Sequence, residues 1–297
     1  MSLSPDKERA VNYETIYALT GNRERSYKLL MALPDPEEPL DSAAAALSET
    51  IGKSRDEIVS LRHSIAECFE SERIDTKVLF PESPLFPEEK GEFFPVIYAS
   101  GNLSLLRKRR ITLVGMPKPS MQGKHDTAAF VSFILSEKVP VLLSLDDGIP
   151  SMAAELLLRN NGEVIAVLSG GLSRCESKSE AMLRSRIYAS GLLLSVFPPS
   201  QKLERWLVMI RNSFTASISG SVFLAEEKDG GPSWSVFDKV LATGGRAMLS
   251  SSMLEVPSYT WARKHIESGA LTYSSDKDLK RLLPREKKAE AEPDLFS

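Results

Sequence analysis

A parallel α/β sheet covered by helices, preceded by a small all-helical domain, is the fold class this sequence predicts. Three observations predict it. Six short, nearly continuous apolar runs recur after residue 110, the pattern of strands buried on both faces. Each run is followed by a glycine or polar turn and then a helix-patterned stretch, the rhythm of βαβ units. The first 74 residues carry helical spacing without any strand-like run.

The helical part divides at "TGN" (Thr20 to Asn22) and "LPDPEEP" (Leu33 to Pro39). Its clearest helix follows Ser54, which forms a capping box with Glu57. Ile58, Leu61, Ile65, Cys68 and Phe69 then recur on one face. Gly52 suits a left-handed stop for the preceding "SAAAALSETIG". These helices are short and bury their apolar faces on each other, which gives a domain over residues 1–75. Residues 76–110 read as an extended connector, because "LFPESPLFPEEKGEFFP" holds too many prolines for regular structure. The α/β core is expected over 111–279. Its strands are "ITLVG", "VPVLLSL", "VIAVLSGG", "GLLLSVF", "SVFLAEE" and "AMLSSS", with right-handed crossovers. Residues 280–297 are charged and broken by proline, and a frayed tail is expected there.

At 297 residues, 42% hydrophobic and 26% charged, the composition is that of a soluble globular protein. A net charge of -3 excludes a surface coated in positive charge but leaves room for a local basic groove. Two cysteines, Cys68 and Cys175, provide neither a disulfide framework nor zinc spacing. With no signal-like start and no run long enough to cross a bilayer, a cytoplasmic protein without membrane contact is expected.

Ligands of open parallel sheets collect outside the carboxyl ends of the strands. Those ends carry "GMPKPSMQG", "SLDDGIPS", "SGGLSRCESKSE", "SVFPPS" and "EEKDGGPS". The first and third are glycine loops ahead of a helix, so they either aim backbone N–H groups at an anion or only turn a tight corner. Nearby cations are Lys118, Lys124, Arg174, Lys178, Arg184 and Arg186, with Arg211 and Asn212 on a helix-like segment facing the same edge. Catalytic constellations are poor: His63, His125 and His265 are scattered, and Cys175 has no adjacent histidine. Asp146 and Asp147 make either a magnesium site or a solvated turn. Glu226 and Glu227 either orient a ligand or support the fold. The aromatic residues Phe197, Trp206, Phe214, Trp234 and Tyr188 fit a core better than a base-stacking platform. No enzyme, cofactor or metal is expected.

The order of these loops resembles the DNA processing protein A (DprA, also called Smf) family, from the N-terminal helices to about Leu279. "ESPLFPEEK" and "FPVIYASGNLSLL" are similar to the family's DP-x-YP and P-x-V-L-Y-x-x-G-N-L-x-L-L segments. "VGMPKPSMQG" resembles V-G-S-R-K-x-S/T-x-Y-G, keeping Gly115, Lys118, Ser120 and Gly123. "SLDDGIPSMAAE" resembles S-G-x-A-x-G-I-D-x-x-A-H, keeping Ser144, Gly148 and Ile149. "AVLSGGLSRCESKSEAML" follows A-V-L-G-x-G-L-D-x-x-Y-P-x-x-N-x-x-L, with Gly170, Gly171 and the basic Lys178. "GLLLSVFPPS", "IRNSFTASIS" and "ESGALTY" match three further family segments, the second with Arg211 and Asn212.

The resemblance implies an extended Rossmann-like domain behind a domain like the sterile alpha motif. It implies a homodimer that binds single-stranded DNA in a strand-end groove and hands it to the RecA recombinase during natural transformation. Carried over residue by residue, the phosphate-binding positions are Gly115, Lys118, Ser120, Gly123, Lys124, Ser144, Gly148, Gly170, Gly171, Lys178, Arg211 and Asn212. The departures fall in the same loops. Met116 and Pro117 replace the serine and arginine of G-S-R, and Ser213 replaces the second arginine of R-N-R. Pro150 and Ala154 replace the aspartate and histidine after G-I, and Glu176 and Ser177 replace Y-P. Each lost phosphate contact weakens binding and flattens its salt dependence. Two other readings stay open: a nucleotide- or small-phosphate-binding Rossmann-like protein, and an interaction scaffold that has lost DNA binding.

Overall fold

Residues 5–20 open the chain as a helix because Pro5 presets its first turn and Gly21, at φ +65, ends it. The computed structural model describes residues 3–72, 74–88, 90–175 and 177–283. Four helices come first: α1 (Pro5–Thr20), α2 (Arg23–Met31), α3 (Ala44–Ile51) and α4 (Arg55–Glu70). Val11, Ile16, Leu30, Leu40, Leu47 and Ile58 pack together in their midst. Gly52 stops α3 at φ +75, as its position suggested. The capping box is only half made. Ser54 Oγ accepts from the Glu57 N–H (3.2 Å), whereas the Glu57 carboxylate turns to the Lys53 ammonium (2.9 Å). Lys53 offers a charged donor, which competes with the backbone N–H for that carboxylate. Ser54→Ala should therefore lower the unfolding free energy by about 1 kcal/mol, the ordinary worth of one N-cap, readable in urea denaturation.

The sheet has nine strands: β1 (Lys77–Leu79), β2 (Ile97–Gly101), β3 (Ile111–Val114), β4 (Val141–Ser144), β5 (Val164–Val167), β6 (Leu192–Ser195), β7 (Ser221–Leu224), β8 (Arg246–Ser250) and β9 (Leu271–Tyr273). Their spatial order is β1-β2-β6-β5-β4-β3-β7-β8-β9. From β6 to β9 every pair is parallel, with Val141 opposite Val164 and Thr112 opposite Val222. The connecting helices are α5 (Met121–Glu137), α6 (Ile149–Arg159), α7 (Lys178–Ser190), α8 (Leu207–Ser217) and α9 (Trp234–Ala242), followed by α10 (Ser252–Glu255), α11 (Thr260–Glu267) and α12 (Asp276–Leu279).

The predicted strands are all present, and alternation along them sorts the core into two faces. Val141 and Leu143 share a cluster with Phe130 and Ala153, whereas Leu142 faces the opposite side with Phe94 and Phe214. Three strands were not expected. β1 and β2 lie in the stretch read as an extended connector and pair antiparallel, β2 running along β6 with Tyr98 opposite Ser195. The prolines flank these short strands rather than interrupt them. β9 is a three-residue edge whose pairing with β8 supplies what its sequence pattern lacks. Residues 280–283, placed in the frayed tail by composition, are packed. Leu282 is buried, its carbonyl accepts from Ser221 Oγ (2.9 Å), and Arg246 bonds the carbonyls of Arg281 and Leu283. The remainder of that expected tail, 284–297, lies outside the described residues.

The helical part and the sheet share one hydrophobic cluster. Phe69 of α4 meets Tyr98 of β2 at 5.8 Å between ring centroids, and the Tyr98 hydroxyl donates to Glu14 of α1 (2.6 Å). The chain winds from β3 outward to β6 and then returns to place β7 on the other side of β3. That reversal opens a crevice at the carboxyl ends of the central strands.

Candidate nucleic-acid interface

The loops after β3 and β4 are pressed together at this crevice. Gly148 has φ +89, and a Cβ there would collide with the carbonyls of Met116 and Pro117, so only glycine fits. The Ile149 N–H bonds the Met116 carbonyl (3.2 Å). Gly171 lies equally close to the carbonyls of Pro198 and Pro199, which ties the loop after β5 to the loop after β6. Gly115 packs on Ile149, Gly123 on Glu226, and Gly170 on the backbone of Gln201. These contacts favour the tight-corner reading of the glycine loops.

Two adjoining hollows remain. A larger one of about 510 Å³ is walled by Asp146, Gly170, Arg174, Arg184 and Leu203. A smaller one of about 170 Å³ is walled by Gly115, Ser144, Asn212, Thr215 and Ser233. Arg211 borders both. Gly115, Ser144, Gly170, Arg211 and Asn212 are thus brought together as the sequence suggested. Lys118 and Ser120 stand exposed on the loop before α5, Lys124 in the first turn of α5 and Lys178 at the start of α7, and Gly123, Gly148 and Gly171 serve close packing.

The electrostatics differ from the sequence expectation. Arg211 is only 3% exposed. Its Nη2 donates to Asp146 Oδ2 (2.6 Å) and its Nε to Asn212 Oδ1 (2.9 Å). Ser144 Oγ donates to the same Asp146 oxygen (2.9 Å). Burial would raise the Asp146 carboxyl, but the Arg211 guanidinium and the Ser144 hydroxyl hold it below its usual range. Asn212 is engaged as well, donating to Pro232 O (3.0 Å) and Ser235 Oγ (2.9 Å). A cation counted as a phosphate ligand is therefore already neutralised by a carboxylate of the neighbouring loop.

The same holds at the start of α5, the place where the first glycine loop would cradle an anion. Ser120 Oγ caps the helix by accepting from the Gly123 N–H (3.1 Å), and the Ser120 N–H donates to Glu226 Oε2 (2.7 Å). Tyr259 holds the other Glu226 oxygen (3.2 Å). Glu227, 1% exposed, accepts from the N–H groups of Lys228 (3.1 Å) and Ser233 (3.3 Å) near the start of α9. Both glutamates thus bind backbone donors beside helix N-termini, where negative charge is favoured. This supports the structural reading of the pair.

The edge keeps a fringe of cations that engage no acid among the described residues. Lys118 and Lys124 follow β3, Lys178 follows β5, and Lys202 and Arg205 follow β6. Arg174 is exposed too, with its Nε on the Ser200 carbonyl (3.1 Å). Arg184 is buried and bound to Glu180 (2.5 Å). Lys202 and Arg205 escaped the sequence reading. Their signal is the charged stretch "SQKLER" in the loop that follows a strand end. Ser169 Oγ is buried without a partner among the described residues and lines the larger hollow. Phe197, Phe214 and Trp234 are core residues as expected, whereas Trp206 (58% exposed) and Tyr188 (47%) face solvent. Among the described residues, no three His, Cys, Asp or Glu side chains gather as a metal site. No helix there is long and apolar enough to cross a membrane. Glu176, the acidic replacement in the third loop, lies outside the described residues.

A mostly parallel sheet with a strand-order reversal and a cation-fringed carboxyl edge defines a Rossmann-like α/β protein. The chain belongs to the DNA recombination-mediator protein A family, whose model matches residues 77–283. It is 26% identical to the DNA processing protein DprA of Bacillus subtilis over 199 residues, 67% of each chain. It is 29% identical to protein Smf of Synechocystis over 164 residues, 53% of this chain and 41% of that one. In structure it is similar to DNA processing protein A of Streptococcus pneumoniae, with a TM-score of 0.74 at 19% identity, over 96% of this chain and all of the other. A DNA processing protein A from Helicobacter pylori, studied for its single-stranded DNA binding mode, aligns with a TM-score of 0.62 at 15% identity. That alignment covers 70% of this chain and 95% of the other.

Proposed function

We propose that this protein binds single-stranded DNA along the carboxyl edge of its sheet, without catalysing a reaction on it. The observation that carries this reading is the fringe of exposed cations on three strand-end loops and the helix starts that follow them, in a family fold whose relatives are DNA processing proteins. The strand's phosphates would follow Lys118 and Lys124, then Lys178 and Arg174, then Lys202 and Arg205. Such contacts are indifferent to sequence and weaken with salt, because each neutralised phosphate releases condensed counterions. Gly115, Ser144 and Gly170 shape the floor beneath. Arg211 joins the phosphate contacts only when Asp146 gives way. Homodimerisation, transfer of the strand to RecA and a role in DNA uptake extend the proposal on the strength of the family resemblance alone.

Anisotropy of a labelled oligonucleotide across a salt series tests it. The triple change Lys118→Ala, Lys124→Ala, Lys178→Ala should flatten the slope of log K against log salt by about 2 units, at about 0.7 per single-strand phosphate contact. An unchanged slope would remove this edge from the interface. Stabilisation by mononucleotides with no oligonucleotide binding would favour a nucleotide-binding protein instead.

A further inference from the structure

The opposite, amino end of the sheet carries a basic cavity of about 470 Å³. Arg110, directly before β3, and Gly220, directly before β7, both line it, so the length of those strands parts it from the strand-end hollows. In a chain of net charge -3, its wall holds four successive cations, Arg107 to Arg110, with Lys90 beside them. Glu88 is the one carboxylate in that wall among the described residues.

Two of these cations are committed to the fold. Lys108 pairs with Glu163 (2.6 Å). Arg110 donates from Nε to the Ile218 carbonyl (3.2 Å) and from Nη1 to the Leu106 carbonyl (3.1 Å), which fixes it beside the end of α8. Burial pulls its guanidinium down to about 10, and the Glu88 charge offsets this only in part. It still carries its charge at neutral pH, and a bound anion would relieve the cost of holding that charge away from water. Lys90 and Arg107 are exposed and engage no acid among the described residues. Both stand on anchored backbone: the Lys90 N–H donates to the Ser217 carbonyl (2.8 Å), and Arg107 closes the 3-10 turn Leu103–Arg107.

We propose that this cavity is a second phosphate-binding site, separate from the carboxyl edge and independent of the function proposed there. Arg107 and Lys90 supply the contacts. A guanidinium grips phosphate through two parallel N–H bonds, and an ammonium meets it as a point charge. A consecutive basic run is the pattern of nucleic-acid patches, and a concave basic wall concentrates the field on an arriving anion. Arg110 adds its charge to that field from a fixed position. The phosphate can belong to a nucleic-acid strand or to a free nucleotide.

Mass-spectrometric footprinting of lysine and arginine reactivity on the intact chain tests the site, with oligothymidylate and with dTMP as ligands. Lys90 and Arg107 should be protected. Protection by oligothymidylate alone identifies a strand as the ligand; equal protection by dTMP at the same phosphate concentration identifies a free nucleotide. Where the strand protects, anisotropy measures the contacts. In the Lys118→Ala, Lys124→Ala, Lys178→Ala background, which weakens the opposite edge, adding Lys90→Ala and Arg107→Ala should flatten the salt slope by about 1.4 units, at about 0.7 per contact. Far-ultraviolet circular dichroism checks that the variant is folded. Lack of protection by either ligand, or an unchanged slope for a protecting strand, overturns the proposal. So does equal affinity for oligoglutamate of the same charge, which would reassign the cavity to an acidic peptide. Protection of Lys90 and Arg107 with Lys118 and Lys124 left reactive supports this site and rejects the carboxyl-edge reading; the converse pattern rejects this site alone.

Discussion

Unfolding free energy should fall by about 3 kcal/mol as the pH rises from about 5 to about 8, with Glu14 as the cause. Burial pushes this carboxyl from an ordinary 4.5 up to about 7, against the lowering effect of the Tyr98 hydrogen bond and the Arg23 charge. In the unfolded chain Glu14 ionises near its ordinary value, so between the two values the folded state holds a proton that the unfolded state has lost. Stability from this group is complete below about 4.5 and is lost as pH climbs through about 7. The group is enclosed by Tyr98 from the sheet and by Tyr13 and Arg23 from the helical part. Glu14→Gln cannot ionise and should flatten this limb of the curve. Urea denaturation at half-unit pH intervals would show it, and an identical fall in the variant would place the cause elsewhere.

Asp146→Asn should tighten single-strand binding by about tenfold at low salt and steepen the salt slope by about 0.7, one added phosphate contact. The reason is the pairing of Asp146 with Arg211 at 2.6 Å. A phosphate must compete with a carboxylate already seated on the guanidinium. The amide keeps the shape and gives up the charge, leaving Arg211 buried and available. The same change should lower stability by about 1–2 kcal/mol, less than for a fully buried pair because half of the Asp146 side chain faces water. Affinity and slope equal to those of the parent chain would mean that Arg211 lies beyond reach of the strand.

Much of the architecture was legible because apolar runs such as "VIAV" and "SVFL" have no exposed face and fit only a sheet covered twice. β1 and β9 were not legible, since three residues carry no period, and edge strands take their identity from the neighbour they pair with. Among the candidate site residues, the loops holding Gly115, Ser144, Gly170 and Arg211 converge because strand order sets which carboxyl ends are adjacent. Their charge state was hidden. Asp146 is 65 residues from Arg211, and Glu226 is 106 from Ser120. No local spacing announces such partners.

By itself, the sequence determined the alternation of strands and helices, the helical first segment and the positions of the strand-end loops, because these follow from local hydrophobic period and turn chemistry. Only the tertiary structure decided which anion-binding groups remain free. Glu226 holds the α5 N-terminus and Asp146 holds Arg211, whereas Lys118, Lys124 and Lys178 stay in solvent. The reason is that pairing depends on distance in space, which chain folding sets after the local pattern has been spent on the elements themselves.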